Sequence, residues 1–332
     1  MKVLFIGGTG NISVSVSKLA ISRGIDLYLL NRGQRGETIN GAHTLIADIN
    51  QPDQVAAALG DQHFDVVVNW IVFHEHEIER DINLFRGKCG QYIFISSASV
   101  YQKPATSHIL NEATPAHNPF WRYSQEKIAC EERLMRAYRD DGFPMLIVRP
   151  SHTYDHIFPV SVGRGNTFVV PQRILDGKPV IVHGDGTSLW TLTHSEDFAK
   201  GFVGLMGHPQ TLGHIIQITS DFVVTWNQIY EQLGEALGVQ PKLVHMPSEF
   251  IAQMHEGEGA NLLGDKMYSA IFDNSKLRRF VPEYQATIPF HEGIRKTLAW
   301  FRADPKRLQV DPADDAHIER FLTAYAQRGV QV

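Results

Sequence analysis

The feature that most narrows what this chain can fold into lies at its start. Lys2–Ile6 is a short apolar, β-rich run that leads directly into Gly7-Gly8-Thr9-Gly10-Asn11-Ile12-Ser13. Residues 12–23 then have a helical pattern. Glycines between a strand and a helix let the backbone turn tightly and approach an anion, which the free N–H groups of the helix start can bind. The third glycine of a G-x-x-G-x-x-G pattern is Ser13 here, a residue small enough for helix–strand packing. A glycine-rich loop alone is weak evidence for a nucleotide site. Its place directly after the first strand is what gives it weight, and Gly7, Gly10, Asn11 and Ile12 are the candidate contacts.

The rest of the first half repeats this grammar. Strands are predicted at Asp26–Leu30, His43–Ala47, Phe64–Trp70, Gln91–Ser96 and Met145–Val148, and helices at Pro52–Leu59, Glu75–Phe85 and Tyr123–Asp140. Such alternation implies a parallel sheet with helices on both faces. The near-continuous apolar run Phe64–Trp70 suits a strand covered on both sides. After Pro150 prolines and glycines break the pattern. Residues 1–155 are therefore expected to form a nucleotide-binding domain, rejoined by residues about 190–220. Residues 156–189 and 221–332 are expected to form a smaller substrate-binding domain. Later predicted elements are Ile215–Ile218, Trp226–Leu237, His291–Phe301 and Ala316–Gln327.

Two further patterns carry chemistry. The end of the second strand reads Asn31-Arg32, where an acid would bind the ribose of NAD. A neutral residue followed by arginine suits the 2′-phosphate of NADP, and Arg32 is equally readable as a solvated loop residue. Asp48, after the third strand, is placed to meet an adenine edge. Tyr123-Ser124-Gln125-Glu126-Lys127 puts Tyr123 and Lys127 on one helix face. A nearby ammonium lowers a phenol's pKa and readies it for proton transfer. A strand-end hydroxyl is available in Ser96-Ser97-Ala98-Ser99-Val100-Tyr101.

With these residues together, the chain resembles the extended short-chain dehydrogenases/reductases of the NAD-dependent epimerase/dehydratase family, and UDP-galactose 4-epimerase-like enzymes in particular. The resemblance continues through Arg149-Pro150, Gly184-Asp185-Gly186, His194, Asp197 and Asp273-Asn274-Ser275-Lys276. It implies a Rossmann-type doubly wound sheet with a smaller mixed C-terminal domain. It also implies hydride exchange with NAD, or alternatively NADP, and makes Ser97, Tyr123 and Lys127 the catalytic set. Ser97 would hold the substrate oxygen, Tyr123 would exchange its proton, and Lys127 would bind the nicotinamide ribose. Ser96 and Ser99 have weaker claims.

The chain departs from the family in ways that bear on substrate. Ser97-Ala98-Ser99 stands where 4,6-dehydratases carry Thr-Asp-Glu, which disfavours dehydration. Trp190 stands where sugar-nucleotide enzymes carry a diphosphate-clamping arginine, and His152 stands where they carry a substrate-contacting asparagine. Both are candidate substrate contacts, His156 is a weaker one, and Arg164, Lys266 and Arg278 are candidate replacement cations. Ile71 and Val72 occupy positions usually held by small residues. The substrate class is therefore a sugar or sugar-nucleotide. Phe120, Trp121 and Tyr138 are read as core or interface.

Lys+Arg is 31 and Asp+Glu is 36, a net charge of −5. That argues against general nucleic-acid affinity. No apolar run is long enough to span a membrane. Two cysteines, Cys89 and Cys130, suit a reducing, cytoplasmic compartment. His74-Glu75-His76-Glu77 lacks metal-site spacing, and no metal is expected. Ile78, Ile82 and Phe85 form an apolar stripe suited to a homodimer seam between the Glu75–Phe85 and Tyr123–Asp140 helices, or to packing on the sheet. The competing function class is a non-catalytic, regulatory or RNA-associated NAD(P)-binding relative, which commonly loses the Tyr-x-x-x-Lys pair.

Overall fold

The computed structural model describes residues 1–33 and 39–329. Five strands open the chain: β1 (Lys2–Ile6), β2 (Asp26–Asn31), β3 (His43–Ile46), β4 (Phe64–Asn69) and β5 (Cys89–Ile95). With Met145–Pro150 and Ile215–Ile218 they form one seven-stranded parallel sheet. Its spatial order is Ile215–Ile218, Met145–Pro150, β5, β4, β1, β2, β3. Chain direction across the sheet reverses between β1 and β4. Loops leaving their carboxyl ends diverge there and open a crevice. Burial on both sides explains the apolar sequence of β4: Val66 and Val68 enter one apolar cluster, Phe64 and Val67 the other.

Helices α1 (Ser13–Ser22), α2 (Pro52–Leu59), α3 (Glu75–Phe85) and α4 (Arg122–Asp141) cover the sheet. The His-Glu-His-Glu run is the start of α3, where the Glu77 carboxylate accepts the N–H groups of Phe73 (2.6 Å) and His74 (2.9 Å). α4 ends at Gly142 in the left-handed conformation, a common helix stop. Ile78, Ile82 and Phe85 are fully buried against the sheet. The apolar stripe therefore packs inward and offers no seam to a second chain. The exposed side of α3 instead bonds to α4 through Glu75–Arg136 and Glu79–Arg133.

The later chain folds around its own apolar cluster, which includes Tyr154, Trp190, Trp226 and Phe301. It holds strands that sequence patterning misses. Pro179–His183 pairs in parallel with Lys242–Met246, while Leu189–His194 lies between His152–Tyr154 and Val223–Thr225. A short parallel pair, Ile109–Leu110 with Ile271–Phe272, links the segment before α4 to the last third of the chain. Among the described residues no helix is long and apolar enough to cross a membrane.

Candidate active site

The glycine loop, the ends of β2 and β3 and the loop after β4 enclose a cleft of about 610 Å³. Gly7, Gly10, Asn11, Ile12, Asn31, Arg32 and Asp48 all line it. A Cβ at Gly10 would meet only the Ser13 hydroxyl, at 3.5 Å, so this glycine keeps the cleft open rather than serving packing. Ser13 has a further role, since its Oγ accepts the Gly10 N–H at 2.7 Å. Asn11 pins the loop to the segment after Met145–Pro150. Its Nδ2 donates to the Thr153 carbonyl and its Oδ1 accepts the His156 N–H. At the far end Asn31 accepts the Gly33 N–H and Asp48 the Asn50 N–H, while Arg32 is exposed. A helix start, an open glycine cradle and a polar far rim fit a dinucleotide. Trp70 and Ile71 complete the lining.

The cleft continues into a second cavity of about 490 Å³, sharing Ile12, Trp70, Ile95, Thr153 and Ile157 with it. Ser97, Tyr123 and Lys127 all line this chamber. Ser97 follows β5, and Tyr123 and Lys127 stand one turn apart at the start of α4. Ser97 faces the Tyr123 phenol closely enough to lower its pKa. The Ser97 hydroxyl lies 2.9 Å from that of Ser99, which accepts a hydrogen bond from Ser124 at 2.8 Å. Ser96 also borders the chamber, but its hydroxyl is committed to buried Glu131.

Lys127 is buried, and its ammonium donates to the carbonyls of Val72 (2.6 Å) and Ile95 (2.8 Å). Burial lowers its pKa to about 8. The sequence reading expected this ammonium to lower the Tyr123 pKa. Instead burial raises it, Ser97 opposes the rise, and the charge of Asp265 adds to it. The ammonium is committed to two carbonyls and lies 5.7 Å from the phenol ring centre.

His152 and Trp190 also line the chamber, and they bind each other. The indole N–H donates to His152 Nδ1 at 3.2 Å. Trp190 is nearly buried, its ring 5.4 Å from that of Trp226. Burial, reinforced by Lys266, lowers the His152 pKa to about 3, so the imidazole is neutral. His156 lies outside the chamber lining; it stacks on Trp300 and pairs with Asp155. Of the three candidate cations only Lys266 lines the chamber, whereas Arg164 pairs with Asp314 and Arg278 with Asp221.

Sequence reasoning missed several chamber residues. Trp121, read as core or interface, lines the chamber with its ring 4.9 Å from that of Tyr123. Its place two residues before Tyr123 was the available signal. Phe73, Asn261 and Asp265 also line the chamber. No local motif marks Asp265, which the fold brings in from far along the chain. Phe120 and Tyr138 are partly exposed and lie outside the chamber lining.

Comparison with known proteins places this geometry. The 2'-dehydrokanamycin reductase of Streptomyces kanamyceticus is 23% identical over 86% of this chain and 80% of its own. The chloroplast stem-loop binding protein of 41 kDa b from Arabidopsis thaliana is 27% identical over 75% of this chain and 67% of its own. The fold matches that of Thermus thermophilus UDP-glucose 4-epimerase in complex with NAD. The TM-score is 0.68, with 19% identity over 91% of this chain and 99% of that one. The model of the NAD dependent epimerase/dehydratase family matches residues 3–219, and the chain belongs to that family.

Proposed function

We propose that the protein is an NAD(P)-linked oxidoreductase or epimerase acting on a sugar, with NAD as the first cofactor and NADP as the alternative. The observation that carries this reading is that Ser97, Tyr123 and Lys127 share one chamber, continuous with the glycine-loop cleft. Gly7, Gly10, Asn11, Ile12, Asn31, Arg32 and Asp48 would hold the dinucleotide, whose nicotinamide supplies the hydride donor or acceptor. Tyr123 exchanges the proton of the substrate hydroxyl through its phenol oxygen. Ser97 hydrogen-bonds the same substrate oxygen. Lys127, with a pKa of about 8, keeps a positive charge beside them at neutral pH.

The family name covers both epimerases and dehydratases. Ala98 and Ser99, where the dehydratase acid/base pair would stand, favour chemistry without loss of water. The substrate we favour lacks a diphosphate. Trp190 offers it no charge, and the one chamber cation among the three candidates, Lys266, sits beside Asp265. The relative named for 2'-dehydrokanamycin points the same way. A nucleotide-sugar is the alternative, and micromolar binding of UDP would establish it. The stem-loop binding relative supports a non-redox reading, against which stands the retained Ser97–Tyr123–Lys127 group. A cytoplasmic location and a homodimer on α3 and α4 belong to the same proposal, the seam then using outward residues of these helices and not the buried Ile78, Ile82 and Phe85 stripe.

The test is Tyr123→Phe in the cofactor-loaded protein. Turnover falls by about 10²–10⁴-fold or more, the contribution of a positioned general acid/base, while cofactor affinity is retained. Turnover at the wild-type rate overturns the proposal.

A further inference from the structure

Asp265 is the one acidic side chain among the described residues lining the chamber. It lies on a π-helical turn, Leu262–Lys266, a geometry frequent at functional positions. Two contacts seat this turn against the catalytic wall. The Asn118 amide donates to the Ser99 carbonyl (2.8 Å) and to the Gly264 carbonyl (2.7 Å), joining the two walls through one side chain. A Cβ at Gly264 would stand 2.7 Å from the Trp121 Cβ, so a glycine is required for this approach.

The Asp265 carboxylate makes no hydrogen bond and no ion pair among the described residues. Its neighbours are engaged elsewhere. The Lys266 ammonium donates to the Val160 carbonyl at 2.9 Å, and that of Lys103 lies 5.4 Å from the centre of the Tyr268 ring. Burial pushes the Asp265 pKa up, and the charges of Lys103 and Lys266 pull it back. Burial outweighs the two lysines and the pKa stays raised, though they limit the rise without capping the carboxylate. Its field reaches Tyr123, so it acts on the part of the chamber where the reacting hydroxyl would sit. A half-buried carboxylate with open oxygens facing a chamber is best satisfied by a ligand donor, above all a charged one.

We propose that Asp265 binds a protonated amine of the substrate, so that the chamber selects an amino sugar over its hydroxyl or N-acetyl counterpart. This rests on reading the chamber as the substrate site. An ammonium completes the carboxylate with charge-assisted hydrogen bonds. A hydroxyl supplies a weaker neutral donor, and an anionic substituent set against this carboxylate is repelled.

The experiment titrates NAD-saturated protein with D-glucosamine, N-acetyl-D-glucosamine, D-glucose and D-glucuronate at neutral pH. Tryptophan fluorescence is the readout, since Trp70, Trp121 and Trp190 line the chamber. Glucosamine is expected to bind roughly ten- to a hundred-fold tighter than the other three, the worth of a hydrogen bond to a charged group. In Asp265→Asn the preference disappears, while unchanged NAD affinity reports an intact fold. Equal binding of all four, binding of none, tighter binding of glucuronate, or a preference that survives Asp265→Asn each overturns the proposal. Binding is read apart from turnover. If the preference holds while Tyr123→Phe stays fully active, the hydride-transfer reading fails and this one stands.

Discussion

Glu131 lies one turn beyond Lys127 on α4 and is the point where that helix is fastened to the sheet. Its carboxylate accepts Nε (2.8 Å) and Nη2 (2.5 Å) of Arg149 and the hydroxyl of Ser96 (2.5 Å). The two charged side chains are only 3% and 5% exposed, and Arg149 Nη1 already lacks a partner. Glu131→Leu removes all three bonds and strands a guanidinium in the interior. Breaking a buried pair in this way costs about 3–5 kcal/mol, a large part of the ~5–15 kcal/mol that holds a typical protein folded. With a urea slope of ~3 kcal/mol/M, the unfolding midpoint falls by roughly 1 M or more. Circular dichroism at increasing urea measures it. The double variant Glu131→Leu, Arg149→Met leaves no orphaned charge and is expected to recover most of the loss. A single variant that costs less than ~1 kcal/mol, or a double variant no more stable than the single, would refute this account of the pair.

Three more expectations are open to measurement. Burial lowers the pKa of His152 to about 3 and of His183 to about 4. Below their unfolded value of about 6.5 the unfolded chain therefore takes up protons that the folded one refuses, and stability falls with acidification; urea midpoints that stay flat from neutral pH down to about 4.5 would contradict this. Gly264→Ala forces the Leu262–Lys266 turn away from Trp121, with an expected fall in kcat/KM toward the sugar of about 10- to 100-fold at unchanged cofactor affinity; an unaltered kcat/KM would mean that the close approach is unimportant. Light scattering is expected to give twice the 37.4 kDa chain mass, and a monomeric mass would remove the homodimer.

How much of this was legible in the sequence depends on how local each signal is. β1 and the glycine loop, α1, and the Tyr123–Lys127 face were readable because each is set by residues within a few positions of one another. The same holds for α3, whose inward stripe was visible while its direction was not, because only the sheet decides which side is covered. Strands such as Pro179–His183 and Lys242–Met246 escaped notice. They are short, bounded by glycine or proline, and exist through pairing with each other across some sixty residues. In the chamber, motif residues were found and non-motif residues were not. Asp265 lies more than a hundred residues from Tyr123, and nothing around it repeats or alternates; Lys266 was reachable only as one of three candidate cations. The Tyr123 pKa was misjudged for the same reason, since spacing reveals a neighbouring ammonium but not how deeply both groups are buried.

The Asn118 clasp also bears on how such a chamber changes over evolutionary time. One wall carries Ser97, Tyr123 and Lys127 on elements rooted in the sheet. The facing wall is a five-residue turn from a distant stretch of chain, joined to the first by one amide and one glycine contact and anchored behind by His183 at the Lys266 carbonyl and by the Lys266 ammonium at the Val160 carbonyl. Because Asn118 grips the Gly264 carbonyl and not a side chain, residues on either side of Gly264 are free to vary without loosening the grip. Asp265, whose side chain holds nothing in place, can therefore be exchanged while the opposite wall stays in register, whereas Lys266 also anchors the turn at Val160. Selection for a new substrate can act on one codon, and a designer seeking an altered ligand has the same position to randomise first.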